Sequence, residues 1–217
     1  LPPGVRVVDV GDVPTDPADP AGNRERASRA VAALLARGVV PVVLGGDDST
    51  PPFALAAYAG HRPVTVVQVD AHVDYRDEVG GERHGYSSPM RRAAEMPWVE
   101  RVVHVGIRGV GSARREDVEA TLARGNAIVT AREVHERGAA AALERVPEGG
   151  RYYLAVDVDG FDPSVVPGTA ALAPGGLSYW HGLDLVAGLQ RRGEIVGLGF
   201  AEHYPDKDVN GLSALVI

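Results

Sequence analysis

The residues best suited to chemistry stand at the ends of apolar runs. Asp70, His72 and Asp74 alternate directly after Val64 to Val69, in the segment DAHVD, and Asp157 and Asp159 alternate at the end of the run Tyr152 to Val158. Side chains two apart along an extended segment point the same way, so each set offers its polar groups on one face. Two further runs end alike: Leu44 leads into GGDDS (Gly45 to Ser49), and Phe200 leads to Glu202 and His203. Carboxylates crowded together repel one another unless a cation sits among them. Five candidate ligands at period two exceed the needs of one ion and suit two divalent ions with shared carboxylates, about 3.5 to 4 Å apart. Oxygen-dominated ligation with some imidazole favours Mn²⁺ or Mg²⁺ over structural zinc, and two Mn²⁺ ions are expected.

Positioning such groups falls to a recurring pattern. Val-rich runs at Val5 to Val10, Val39 to Leu44, Val64 to Val69, Val102 to Ile107, Tyr152 to Val158 and Ile195 to Phe200 read as strands buried on both faces. Ala127 to Thr130 is a shorter candidate. Helices are expected between them: over RERASRAVAALLAR, where Ala27, Val31, Leu34 and Leu35 recur at helical spacing before Gly38, and over 113–124, 131–144 and 178–191. Strands alternating with helices predict right-handed crossovers and a three-layer α/β/α sandwich on a mainly parallel sheet. In such sheets ligands bind beyond the carboxyl ends of the strands, where the polar clusters lie.

At 217 residues the chain reads as one domain over 1–217, trimmed at both ends, since it starts without Met and stops in the apolar run LSALVI, which reads as the start of a helix. Twenty-two basic against 29 acidic residues give a net charge of −7. That is the wrong sign for gripping phosphate backbones and argues against a nucleic-acid partner, whereas a small cationic substrate suits it. No apolar stretch is long enough to span a bilayer. The absence of cysteine excludes disulfides, thiolate metal sites and a cysteine nucleophile, and fits a cytoplasmic setting. Neither GxGxxG after the first strand nor a Walker loop is present, which argues against dinucleotide and nucleoside-triphosphate chemistry.

Taken in order, GGDDS (45–49), DAHVD (70–74), His84 with Gly85, the segment Asp157 to Thr169, PGG (174–176) and Glu202 resemble the motifs of the ureohydrolase family of arginases and agmatinases. PMRRA (89–93) and VGIRG (105–109) are similar to the agmatinase-type branch. The resemblance implies an arginase-like fold and hydrolysis of a guanidino compound, agmatine first, to urea and an amine by a metal-bridging hydroxide. Carried over by position, Asp70 and Asp157 would bridge the ions. Asp74 would complete one site, and His72 with Asp159 the other. Glu202 would hold the guanidinium through charge-assisted hydrogen bonds, and His84 would pass a proton to the leaving amine. Trimers or hexamers are also implied.

One departure touches the metals: the family's GGDHS has histidine where this chain has Asp48. The site near Asp48 and Asp74 is therefore expected to be weakened, altered in metal preference or empty, and a catalytically impaired protein is one alternative. Another is a hydrolase of 4-guanidinobutyrate or a related guanidino acid, with Arg108 as the candidate partner of a substrate carboxylate. For a substrate with a second cationic end, Asp77 and Glu78 are candidates. A rival reading takes DVDGF (157–161) as the signature of a haloacid-dehalogenase-type phosphatase, with Asp157 as nucleophile and Asp159 as acid.

Overall fold

The computed structural model describes residues 4–111 and 113–217. Its strands are β1 (Val42–Leu44), β2 (Val64–Val69), β3 (Val99–Ile107), β4 (Ala127–Thr130), β5 (Arg151–Asp157) and β6 (Glu194–Ala201). Every ladder between them is parallel, and the order across the sheet is β1-β6-β5-β2-β3-β4. The helices are α1 (Pro20–Leu35), α2 (Pro51–Ala56), α3 (Pro89–Ala94), α4 (Arg115–Ala123), α5 (Ala131–Arg137), α6 (Ala140–Leu143) and α7 (Tyr179–Arg192).

Alternation along the buried strands divides the core in two. Val67, Val69, Val103, Val105, Leu154 and Val156 face a cluster completed by α5, α6 and α7 through Val134, Ala142, Leu185 and Leu189. Val64, Val66, Val102, Tyr153 and Ala155 face a second cluster with α1, α2 and α3 through Val31, Leu55 and Met90. The result is the expected three-layer α/β/α sandwich, and β2 is buried along its whole length because helices cover both faces.

Several elements differ from the reading of the sequence. Val5 to Val10 forms no strand and lies exposed, with Val7 at 78%. It finds no ladder among the described residues, and an apolar run needs such a partner to become a strand. The run Val39 to Leu44 yields only the three residues of β1, at the edge of the sheet, with Val42 and Leu44 exposed. The stretch 131–144 splits at Gly138, whose φ of 64° ends α5 before α6 begins. LSALVI folds as turns rather than helix. The pattern also missed α2 and α3, six-residue helices that each start on proline. Conversely, α1 begins before the expected stretch, because the Asp19 side chain accepts from Gly22 N–H and caps it.

The register places the chemistry. Val69 pairs with Val156, so the next residues, Asp70 and Asp157, leave adjacent strands side by side. Asp157 pairs with Ala201, the residue before Glu202, and Leu44 with Phe200, which brings the GGDDS loop beside the same edge. The four strands that end in polar clusters are thus four neighbours in the sheet. Beyond β5, Gly160 turns so close to β2 that a Cβ there would lie 2.6 Å from the Asp70 nitrogen and 2.8 Å from Val69 Cγ1. Gly160→Ala is expected to lower stability by about 1–3 kcal/mol through this overpacking. It should also shift Asp70, and equilibrium unfolding with calorimetric metal titration checks both effects.

Candidate metal centre

Five carboxylates and one imidazole meet at this edge. Asp70, His72 and Asp159 each offer a ligand atom within 4.8 Å of the others, and Asp48, Asp70, Asp74 and Asp157 do the same. The two sets share Asp70. His72 Nδ1 lies 3.1 Å from Asp159 Oδ2 and 3.3 Å from Asp70 Oδ1. Backbone N–H groups fix the carboxylates: Ala71 donates to Asp159 Oδ1 (3.0 Å), His72 to Asp70 Oδ1 (2.5 Å) and Asp159 to Asp157 Oδ1 (2.9 Å). Glu202 Oε1 accepts from Asp48 N–H at 3.0 Å, tying the loop after β1 to the end of β6. Asp74 and Glu202 hold φ values of 44° and 63°. This left-handed region is uncommon for residues other than glycine and costs about 1–3 kcal/mol, the kind of strain that collects at functional sites.

The electrostatics call for a cation. Burial, then the neighbouring carboxylates, raise Asp48, Asp74 and Asp157 well above the usual carboxylate range. Burial raises Asp70 to about 7. The hydrogen bonds to Asp159 and Asp70 raise His72 to about 10, against its partial burial. Asp48 is 2% exposed, and its Oδ2 has no hydrogen-bond partner. An orphaned carboxylate oxygen buried among other carboxylates is unfavourable by several kcal/mol unless a positive charge compensates it. The donor set therefore fits divalent ions.

Two residues whose hydrogen bonds lead to Asp70 escaped the reading of the sequence. Gln68 Nε2 donates to Asp70 Oδ2 at 2.5 Å, and its carbonyl takes the Nδ1 proton of His104. His104 Nε2 then accepts from the Thr121 hydroxyl at 2.9 Å. Burial drives the His104 pKa down to about 3, so the ring stays neutral and acts by orientation. Gln68 and His104, polar residues within the buried Val-rich parts of β2 and β3 and paired in register, were the available signal.

Other candidates fall elsewhere. His84 is exposed on the loop before α3, donates its N–H to Glu82 Oε1 (2.6 Å) and is not among the residues lining the cavity over the cluster. Arg108 is not free to meet a substrate carboxylate. Its guanidinium donates to the carbonyls of Gly106, Asp159, Gly160, Phe161 and Ala173 at 2.6–3.1 Å, and so clamps the turn that carries Asp159. Asp77 is occupied by Arg83 and Arg92 at 3.1 and 3.0 Å, and Glu78 is exposed. His203 turns to Asp208, 3.4 Å away. The cavity, of about 750 Å³, is lined by His72, Asp74, Asp157, Asp159, Glu202 and Tyr204, with Arg76 and Arg114 on its wall.

A parallel α/β sandwich with a carboxylate-rich pocket at one strand-end edge defines the class, and comparison gives the relatives. The Arginase family model matches residues 2–217, and the chain belongs to that family. It is 31% identical over 218 residues to a guanidinobutyrase of Pseudomonas aeruginosa, covering 98% of this chain and 68% of that protein. To the mitochondrial agmatinase of Gallus gallus it is 33% identical over 216 residues, covering 97% and 63%. The chain thus spans about two-thirds of the length of these relatives. Among solved structures, the proclavaminate amidino hydrolase of Streptomyces clavuligerus superposes with a TM-score of 0.86 at 29% identity, over 96% of this chain and 71% of that one. The phosphatase reading of Asp157 to Phe161 falls with this match, since Asp157 belongs to a shared cluster with Asp48, Asp70 and Asp74.

Two outcomes follow from the site. Asp70, raised from 3.8 to about 7, and His72, raised from 6.5 to about 10, bind protons more tightly folded than unfolded, so metal-free stability must fall as pH rises through those windows. The metal-free protein is expected to melt lower at pH 8 than at pH 5. Added Mn²⁺ should raise the melting temperature more at pH 8, since the ions bind the deprotonated carboxylates. Gln68→Leu is expected to weaken metal binding by about 10–100-fold, as loss of a ligand-orienting partner typically does, read by calorimetric titration.

Proposed function

We propose that the chain hydrolyses a small guanidino compound, agmatine first, to urea and an amine. The observation that carries this reading is the convergence of four neighbouring strand ends on two overlapping ligand sets, of which His72, Asp74, Asp157 and Asp159 line one acidic cavity together with Glu202. Relatives named guanidinobutyrase and agmatinase support the substrate class. Asp70, common to both ligand sets, would be held between two Mn²⁺ ions, Asp48, Asp74 and Asp157 would complete one site, and His72 with Asp159 the other, with Asp157 as a second shared carboxylate on the resemblance alone. Such ions supply Lewis acidity that brings water within reach of deprotonation at neutral pH.

The remaining roles belong to the chain's own side chains. Glu202, held by Asp48 N–H through one oxygen, binds and orients the guanidinium by charge-assisted hydrogen bonds. His84 stays the candidate for proton transfer to the leaving amine on the resemblance alone, as it sits outside the cavity lining. Cytoplasmic location rests on the cysteine-free composition, and trimeric or hexameric assembly on the family resemblance.

A second reading has an observation of its own. Arg76, 3.7 Å from Asp117, and Arg114, 4.0 Å from Glu116, line the cavity, where turning from these acids they would suit the carboxylate of 4-guanidinobutyrate better than the amine of agmatine. Urea release from Mn²⁺-loaded protein across a panel of guanidino compounds decides between them. Turnover of agmatine above guanidino acids supports the first reading, and the reverse order the second. No urea from any member sinks both and leaves a catalytically impaired member of the family. Glu202→Gln is expected to lower kcat/KM by roughly 10–150-fold, the equivalent of about 1.5–3 kcal/mol for a hydrogen bond to a charged group.

A further inference from the structure

The two ligand sets differ in chemistry. One contains imidazole: Asp70, His72 and Asp159. The other holds oxygen donors only: Asp48, Asp70, Asp74 and Asp157. In this second set Asp48 is buried, its Oδ2 is unpartnered, and no lysine or arginine forms an ion pair with Asp48, Asp74 or Asp157 among the described residues. Its backbone cannot drift from the cluster, because its N–H is held by Glu202 and Glu202 N–H by the Gly46 carbonyl at 2.8 Å.

Resting on the metal-centre reading above, we propose that Asp48 makes the Asp48–Asp74 half a site for a hard, oxygen-seeking divalent ion, Mg²⁺ or Ca²⁺ competing there with Mn²⁺. The His72 half keeps its preference for transition ions. Donor type carries the argument. Carboxylate oxygens suit Mg²⁺, Ca²⁺ and Mn²⁺, whereas imidazole suits the later transition metals and is a poor donor for Mg²⁺ and Ca²⁺. Charge acts in the same direction: five carboxylates against two dications leave −1, so the added anion strengthens attraction for a cation whose bonding is mainly electrostatic.

The test is displacement from the intact, Mn²⁺-loaded protein, with released Mn²⁺ counted by its electron paramagnetic resonance signal as MgCl₂ or CaCl₂ is added. Wild type is expected to release one Mn²⁺ per chain at a concentration of Mg²⁺ or Ca²⁺ at least tenfold below that needed for the second. Asp48→His should close that gap by tenfold or more by retaining the first ion. Asp48→Asn, which keeps an oxygen and removes the charge, should fall between. Release of both ions together in wild type, or an unchanged profile in Asp48→His, overturns the proposal. So does failure of the wild type to bind two ions, a result that would also remove the metal-centre reading. Stepwise release from a protein that liberates no urea would instead uphold this inference while the proposed activity fails. The wild-type profile decides the matter even where a variant does not fold.

Discussion

Repulsion among buried carboxylates is the constraint on which the site's architecture turns. Asp48, Asp70, Asp74 and Asp157 place oxygens within 4.8 Å of one another, and the adjoining imidazole, His72, is engaged by Asp70 and Asp159. A chain free to relax would move such groups apart into water. This one cannot, because each carboxylate follows a strand or loop already fixed by the sheet and by backbone donors from Ala71, His72 and Asp159. The core clusters on both faces of the sheet supply the rigidity that keeps the charges together.

The surrounding polar contacts tighten that frame. Arg108 spends its donors on backbone carbonyls of the turn after β5, so it fixes where Asp159 stands without touching the acid itself. Gln68, His104 and Thr121 form a buried chain that ends on Asp70, and the neutral imidazole in the middle sets which atom donates at each link. Left-handed backbone at Asp74 and Glu202 adds strain in the two segments that turn back toward the cavity. These devices act at different strand ends and converge on the same few oxygens.

Much of the centre could be read in the chain itself. Alternating acids directly after a buried apolar run have few structural uses, and Asp70, His72, Asp74, Asp157 and Asp159 stand together as that spacing implied. Asp48 was equally legible as a departure from a motif. His84 was not resolved this way, because a histidine in a polar loop has no periodicity to fix its direction, and the fold leaves it exposed. Arg108 was open to the wrong role for a related reason: an arginine beside glycine looks available until the carbonyls around it are seen.

The sequence alone determined the alternation of strands and helices, the parallel three-layer class and the residue types at each strand end, since local periodicity and composition encode these. It could not decide strand order. Only the tertiary structure made β1, β6, β5 and β2 neighbours, left Val5 to Val10 without a partner and joined Gln68 to His104 across two strands. Each of these depends on contacts between segments far apart in the chain, and hydrophobic pattern carries no record of which segment a strand will pair with.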